Sequence, residues 1–449
     1  MSKLDELIAT LCPDGVEFKT LEELFVIKNG YTPSKSNKDY WTNGTIPWFR
    51  MEDIRTNGHI LSDSIQHVTS SAVRGKLFPA DSIILATTAT IGEHALILVN
   101  SLANQQFTFF SKRESFSSQL NIKFAYYCFY QIDEWCKKNT KVSSFPAVDM
   151  AKLKRYKIPV PPLPVQHEIV RILDSFTELT AELTAELTAR KKQYEFYRDK
   201  LLTCDKDVAS KKYVLGDIAN VTKLAGFEFT NYVTYSDQGQ IIALRGLNVK
   251  NGKLNLDDVK YIDNSDLSKL SRSKLHIGDM LFTYVGTIGQ VALIDEEDKF
   301  YLAPNVALIR CNQDILVPEY MRYYFQSSQF WNKQINRLLQ ASSMKNITME
   351  KIRQFEIYAP SLEIQKRIVN VLDNFDAICS DLNIGIPAEI AARQKQYEYY
   401  RDLLLTFAET GNTLLADQQI SRSADQQISR SADQQISRSA DQQIRAERN

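Results

Sequence analysis

The sequence predicts an α+β protein built twice: two mixed domains, each followed by a long helix. Three observations predict it. Residues 192–203 (KQYEFYRDKLLT) and 395–406 (KQYEYYRDLLLT) are near-copies, and 166–176 (QHEIVRILDSF) is answered by 365–375 (QKRIVNVLDNF). These copies lie on stretches whose apolar residues recur at steps of three and four, the period of an amphipathic helix. The stretches before them hold short apolar runs between turns rich in Asn, Gly, Ser and Thr, the pattern of buried strands. A duplicated chain has internal two-fold pseudo-symmetry and suits a target that is itself in two parts, such as duplex DNA with two half-sites.

The first domain spans residues 1–157. Residues 82–86 (SIILA) and 95–99 (ALILV) read as buried strands, and 122–138 reads as a helix. The run 158–164 (IPVPPLP) has four prolines, which forbid helix or central strand, so the chain there is extended and the domain ends. The central spacer with the TAEL repeats occupies 158–203, its helical period running from Pro164 to Leu202. Its seam is Ile169, Ile172, Phe176, Leu179, Leu183, Leu187, Tyr194, Tyr197 and Leu201, a narrow stripe that needs a partner.

The second domain, 204–357, repeats the first. Residues 241–252 lie over 46–58, with Arg245 over Arg50; Thr287-Ile288-Gly289 lies over Thr90-Ile91-Gly92, and Asp279 over Asp81. A C-terminal spacer follows over 358–410, with a seam that includes Ile364, Ile368, Leu372, Phe375, Tyr397, Tyr400 and Leu404. Gly385 and Pro387 predict a break there, with Pro387 early in a fresh helix. In the tail, 411–449, ADQQISRS starts at Ala416, Ala424 and Ala432, and a truncated copy starts at Ala440. One isoleucine in eight residues makes neither stripe nor core, so a disordered extension is expected.

Composition narrows the class. The chain has 449 residues, 44% hydrophobic and 24% charged, enough for two or three cored domains. No apolar run approaches the roughly 18 residues of a membrane span, and the N-terminus has no signal-peptide pattern, so a cytoplasmic protein is expected. The 54 basic and 54 acidic residues cancel. That balance argues against a sequence-blind polyanion coat, yet allows local basic patches. Six scattered cysteines without CxxC spacing read as reduced thiols. No phosphate-binding glycine loop, amino-methyltransferase [DN]PP[YF] motif, catalytic triad or metal cluster stands out, so neither catalytic nor metal residues are expected. Pro13-Asp14 with Glu17 and Lys19 imitates a nuclease signature, but the gap is too short to build a site.

Candidate binding residues follow from position. Arg50 and Arg245 end apolar strands beside exposed turns, where an Arg can reach a guanine edge or a phosphate. The competing reading is an ion pair with Glu52 or Asp53. Thr88 and Thr90 precede Gly92, and Thr283 and Thr287 precede Gly289; hydroxyls beside glycine let backbone approach a phosphate, or simply close a hairpin. Lys35 and Lys38 sit near Tyr31 and Trp41 as a small basic and aromatic cluster, or a solvated loop. The tandem TAEL at 180–187 is either a neutral helix-lengthening insert or a ruler. Four helical residues add about 6 Å and about 40° of rotation, against about 3.4 Å and roughly 35° per base-pair step.

Together these features resemble the specificity subunit of type I restriction–modification enzymes (HsdS), of the IC-like subgroup. The carriers are CPDGVEFK at 12–19, IPVPPLPVQHEIVRILD at 158–174, the KKQYEFYRDKLL helix end with its copy, and the TAEL tandem. The resemblance implies two target-recognition domains in pseudo-two-fold relation, joined by two antiparallel helices as a coiled-coil spacer. Each domain would read half of a split double-stranded DNA target. Leu179, Leu183, Leu187, Tyr194, Tyr197, Tyr397 and Tyr400 would form the spacer and the docking surface for two methyltransferase subunits (HsdM). Two motor and nuclease subunits (HsdR) would join them. S-adenosylmethionine, ATP and Mg would be bound by those partners, and no cofactor by this chain. The alternative from another class is a non-catalytic coiled-coil scaffold, against which the divergent loops on matching cores speak.

Overall fold

The computed structural model describes residues 2–141, 146–203, 210–224, 229, 231–340, 346–381 and 385–410. The octapeptide tail, Cys204 and Leu382 lie outside the described residues. The chain divides into two units, Met1–Ala181 with Ala392–Asn449, and Glu182–Ala391.

In the first unit the strands are β1 (Phe25–Asn29), β2 (Ile46–Phe49), β3 (Ser82–Ala86), β4 (His94–Ile97), β5 (Leu102–Ala103) and β6 (Phe107–Lys112). The main sheet runs β1-β6-β3-β4, with Ile60–Leu61 at its edge, and β2 pairs parallel with β5. Every residue of β3 and β4 is buried, because both faces of the sheet are covered. Ile83 and Leu85 join Phe110, Phe124 and Phe129 beneath helix α1 (Ile122–Lys138). Ile84 and Ala86 face the opposite cluster with Trp48, Phe49 and Phe109. That is why SIILA shows no polar alternation. The proline-rich run begins as a strand, Lys157–Pro159, antiparallel to Phe18–Thr20, and ties the domain's end to its start.

The second unit repeats this plan with β7 (Ala219–Lys223), β8 (Ile242–Leu244), β9 (Met280–Thr283), β10 (Val291–Leu293), β11 (Phe300–Leu302) and β12 (Val306–Cys311). Its sheet order is β7-β12-β9-β10, and β8 pairs parallel with β11. One landmark shifts. Ile83 faces Phe110 and Met280 faces Ile309, so Asp279 corresponds to Ser82 and Asp81 to Gly278. Asp81 and Gly278 share a left-handed backbone, φ 55 and 85.

The helices carry the same internal likeness. α2 (Leu163–Leu202) is one helix of 40 residues, whose first half lies in the first unit and the rest in the second. In the first unit, Gln166 of α2 is fully buried. It accepts from Asn121 N and donates to the carbonyls of Gln119 and Pro161, at 2.7–2.8 Å. In the second unit Gln365, on α4 (Leu362–Ser380), does the same with Val317, Ile315 and Pro360. Tyr127 donates to Asp174 at 2.6 Å, and Tyr323, on α3 (Pro318–Gln326), to Asp373 at 2.5 Å. Burial pushes both phenols above their ordinary range, and the carboxylates add to it.

The seam is aromatic. In the second unit Tyr197 stacks on Phe375 at 5.8 Å, interplanar 25°. Asp376 acts on Tyr194, and Arg190 and Lys191 act on Cys379, so α2 and α4 run antiparallel here. In the first unit Phe176 stacks on Tyr400 at 5.6 Å, 23°, the same pair with the helices exchanged. Such pairs contribute about 0.5–1.5 kcal/mol beyond burial. The expected break is present: α4 ends at Ser380 and α5 (Ile386–Thr410) starts afresh with Pro387 second. A Cβ on Gly385 would lie 2.5 Å from the Ala377 carbonyl oxygen, so only glycine lets the chain pass this close to the helix end.

Candidate nucleic-acid interface

In the first unit the candidate residues come from loops at one end of the main sheet. The chain leaves β1 at Asn29, turns between β3 and β4 through 87–93, and enters β6 from 104–106. Backbone bonds lock these segments together: Gly30 N to Phe107 O, Tyr31 N to Ala103 O, Thr87 N to Gln106 O, and Asn104 N to Phe49 O, all 2.8–3.0 Å. The last brings in Arg50, the residue after β2. Lys35 and Lys38 lie on the exposed segment that follows β1. Trp48 supports that segment by donating Nε1 to Tyr31 O at 3.0 Å, and Trp41 packs edge-on against Trp48. Lys35, Lys38, Arg50, Thr88 and Thr90 therefore belong to one group of interlocked loops.

Arg50 and Arg245 are held alike. Asp53 is fully buried and accepts from Arg50 N at 2.6 Å; Asn248 is fully buried and accepts from Arg245 N at 3.0 Å. Each side chain thus fixes the backbone at the strand end, and the two guanidinium groups emerge from equivalent places. Arg50 pairs with Glu52 at 2.8 Å, and Arg245 with Asp258 at 2.9 Å. The ion-pair reading of Arg50 is met by Glu52, while Asp53 is a cap. In both arginines Nε is buried without a hydrogen-bond partner.

The two hairpin loops share a backbone. Ala89 and Gly286 both have positive φ, 62 and 76, as do Gly92 and Gly289, 79 and 83. Thr88 bridges to Ala147, and Val285 to Asn346. The side chains differ. Thr88 and Thr90 are half-buried, and Thr287 is exposed. Thr283 is buried, and its hydroxyl bonds the Thr287 carbonyl and accepts from Gln290 N, so it shapes the loop from inside. Sequence reading missed Lys223 and Tyr284, where the ammonium sits 5.8 Å from the ring centre. It also missed Arg74, stacked on Tyr31 at 5.5 Å. The available signal was a cation near an aromatic across a loop, which only folding brings together.

The spacer tyrosines lie inside the seam. Tyr397 is buried, and Tyr194, Tyr197 and Tyr400 are half-buried. Burial pushes the Tyr194 phenol up to about 12. Leu179, Leu183 and Leu187 are half-buried on α2. Among the described residues no group of His, Cys, Asp and Glu is placed to hold a metal ion, and no helix is long and apolar enough to cross a membrane.

Comparison with known proteins fits this twofold construction. The specificity subunit of the type I restriction enzyme EcoprrI from Escherichia coli is 38% identical over 85% of this chain and 93% of its own length. A putative type I specificity subunit from Haemophilus influenzae is 33% identical over 58% of this chain and 66% of its own. A solved structure described under complex assembly and conformational transition of the type I restriction–modification system has a TM-score of 0.61 at 17% identity. It covers 88% of this chain and 98% of its own, and shows the fold. Residues 13–190 and 208–392 each match the family described as type I restriction modification DNA specificity domain. The chain therefore belongs to that family and carries its domain twice.

Proposed function

We propose that this chain is the non-catalytic, DNA-reading subunit of a type I restriction–modification complex, in which each unit reads one block of a split double-stranded target. The observation that carries this reading is one loop framework used twice with different contents. Arg50 and Arg245 are pinned by the same device, and the hairpins share their left-handed positions. The remaining loop side chains differ, as two readers of two sequences require. Lys35, Lys38, Thr88, Thr90 and Thr287 supply phosphate or base-edge contacts, and Thr283 positions its loop.

Catalysis belongs to partners in this reading. Two methyltransferase subunits use S-adenosylmethionine, and two motor and nuclease subunits use ATP and Mg. The complex acts on cytoplasmic DNA. The spacer sets the gap between the blocks, and one TAEL more or fewer in α2 shifts that gap by about one base pair.

Base-resolved adenine methylation in cells that express this chain with its methyltransferase partner tests the reading. A new split motif, two defined blocks around a fixed gap, is the expected result. No new methylation, with the partner active on another specificity chain, would overturn it.

A further inference from the structure

His94 is the first residue of β4, directly after the hairpin loop 87–93, and it is fully buried. Its Nδ1 bonds Asp133 of α1 at 2.5 Å. His94 Nε2 and Asp133 Oδ1 are buried with no hydrogen-bond partner. The loop rests on the same stretch of helix: a Cβ on Gly92 would lie 2.6 Å from the Asp133 carbonyl oxygen. Tyr130, about one turn earlier on α1, meets the His94 ring edge-on at 4.6 Å, 81°. The Arg401 guanidinium of α5 lies over the Tyr130 ring at 4.6 Å and is 5.7 Å from that of Tyr397. Within the first unit, a chain of contacts thus runs from the C-terminal spacer helix to the foot of the hairpin.

Packing alone does not call for this chain. Counted from the matching Tyr127 and Tyr323, Gln326 and Gln329 stand where the first unit has Tyr130 and Asp133, and Val291 stands in the place of His94. Arg198 keeps the place of Arg401 and lies over Tyr194 at 5.7 Å. The second hairpin rests instead on Trp331, at Gly289. Its strand is complete with a buried valine at the position. A buried pair with two unpartnered atoms is a poor source of stability beside apolar residues of similar size. It does fix direction: one short bond and one edge-on ring set how the residue after the loop is held.

We propose that Arg401, Tyr130, His94 and Asp133 form a positioning relay for the first reading hairpin, so that a residue from the second half of the sequence tunes the first block of the target. This rests on the DNA-reading function proposed above. Arg401 acts on Tyr130, Tyr130 on His94, and the His94–Asp133 bond on the loop that carries Thr88 and Thr90. Breaking a link lets the hairpin shift against α1 and loosens discrimination at the first block. The second block is untouched, because its hairpin is mounted on Trp331.

Base-resolved adenine methylation, with the full chain and its methyltransferase partner expressed together, tests the relay. The variants are Arg401→Ala, Tyr130→Gln, and His94→Val combined with Asp133→Gln; the last two carry the second unit's residues. Each should lower the preference for matched over mismatched first blocks about 10-fold, the order of one base contact, and leave the second block and the gap as in wild type. Arg401→Lys and Tyr130→Phe, which keep the cation and the ring, should retain the wild-type first block. Arg401→Ala trims only a half-buried side chain at the edge of the cluster, so it decides the matter if the buried substitutions prevent folding. A merely structural role would give fewer methylated sites with an unchanged motif. That pattern under Arg401→Ala, or both blocks relaxing together, would overturn the relay and leave the DNA-reading role standing. No split motif from the wild-type chain would overturn both.

Discussion

The same cross-strand position is filled differently in the two units. In the first, Ser82 and Ser111 share a buried hydroxyl bond at 2.8 Å. In the second, Asp279 takes Ser82's place and holds Arg310 in a two-pronged ion pair at 2.6 Å. A second contrast lies on β4, where buried His94 bonds Asp133 at 2.5 Å; the matching residues of the second unit are Val291 and Gln329. The buried glutamines, the Tyr–Asp bonds and the stacked seam rings are the same in both. Elements that fix helix against domain are shared, while sheet contents and loop side chains are free to diverge. Two readers need that division: one mounting, two surfaces.

The comparison breaks most visibly at the glutamines. Gln166→Ala and Gln365→Ala each orphan three backbone groups and should each cost about 3 kcal/mol. Hydrogen exchange resolved by segment should show each loss in the mutated unit. An unaltered unit would mean that the shared device holds nothing. Asp279→Ala should cost about 2 kcal/mol, since Arg310 is half exposed and water screens part of the loss. Ser82→Ala should cost about 1 kcal/mol. Equal costs would erase the contrast between the two sheets. Ala89→Gly should stabilise the first unit by about 0.5–1 kcal/mol and Gly286→Ala should destabilise the second by a similar amount, because both backbones are left-handed. Urea midpoints moving the other way would show that the hairpins differ.

The smallest effect depends on pH. Arg171, then Lys3, hold the Glu168 carboxyl below its ordinary range. A depressed carboxylate stabilises above its unfolded value, near 4.3, and that stability is lost as pH falls through the folded value. Amide protection of the helix Lys3–Leu11 should therefore weaken below about pH 4 and stay flat from pH 6 to 8. Glu168→Gln should remove the low-pH change. A transition near neutrality would contradict the assignment.

Much of this was legible in the sequence because periodicity and duplication are local. The strands at 82–86, the helix at 122–138 and the break at Gly385 needed only composition and spacing. The register of Asp279 was not legible: a one-residue offset is invisible until Met280 is seen opposite Ile309. Thr283 looked like a surface hydroxyl because sequence does not say which way a strand-end side chain turns. Lys223 on Tyr284 is a contact across some sixty residues, which folding alone creates.

The central claim is that the two units read independently. Methylation mapping of paired variants tests it most directly: Arg50→Ala with Lys35→Ala and Lys38→Ala in the first unit, and Arg245→Ala with Thr287→Ala in the second. Each set should weaken or relax one block of the split motif and leave the other block and the gap unchanged. Both blocks changing together under either set would contradict the account.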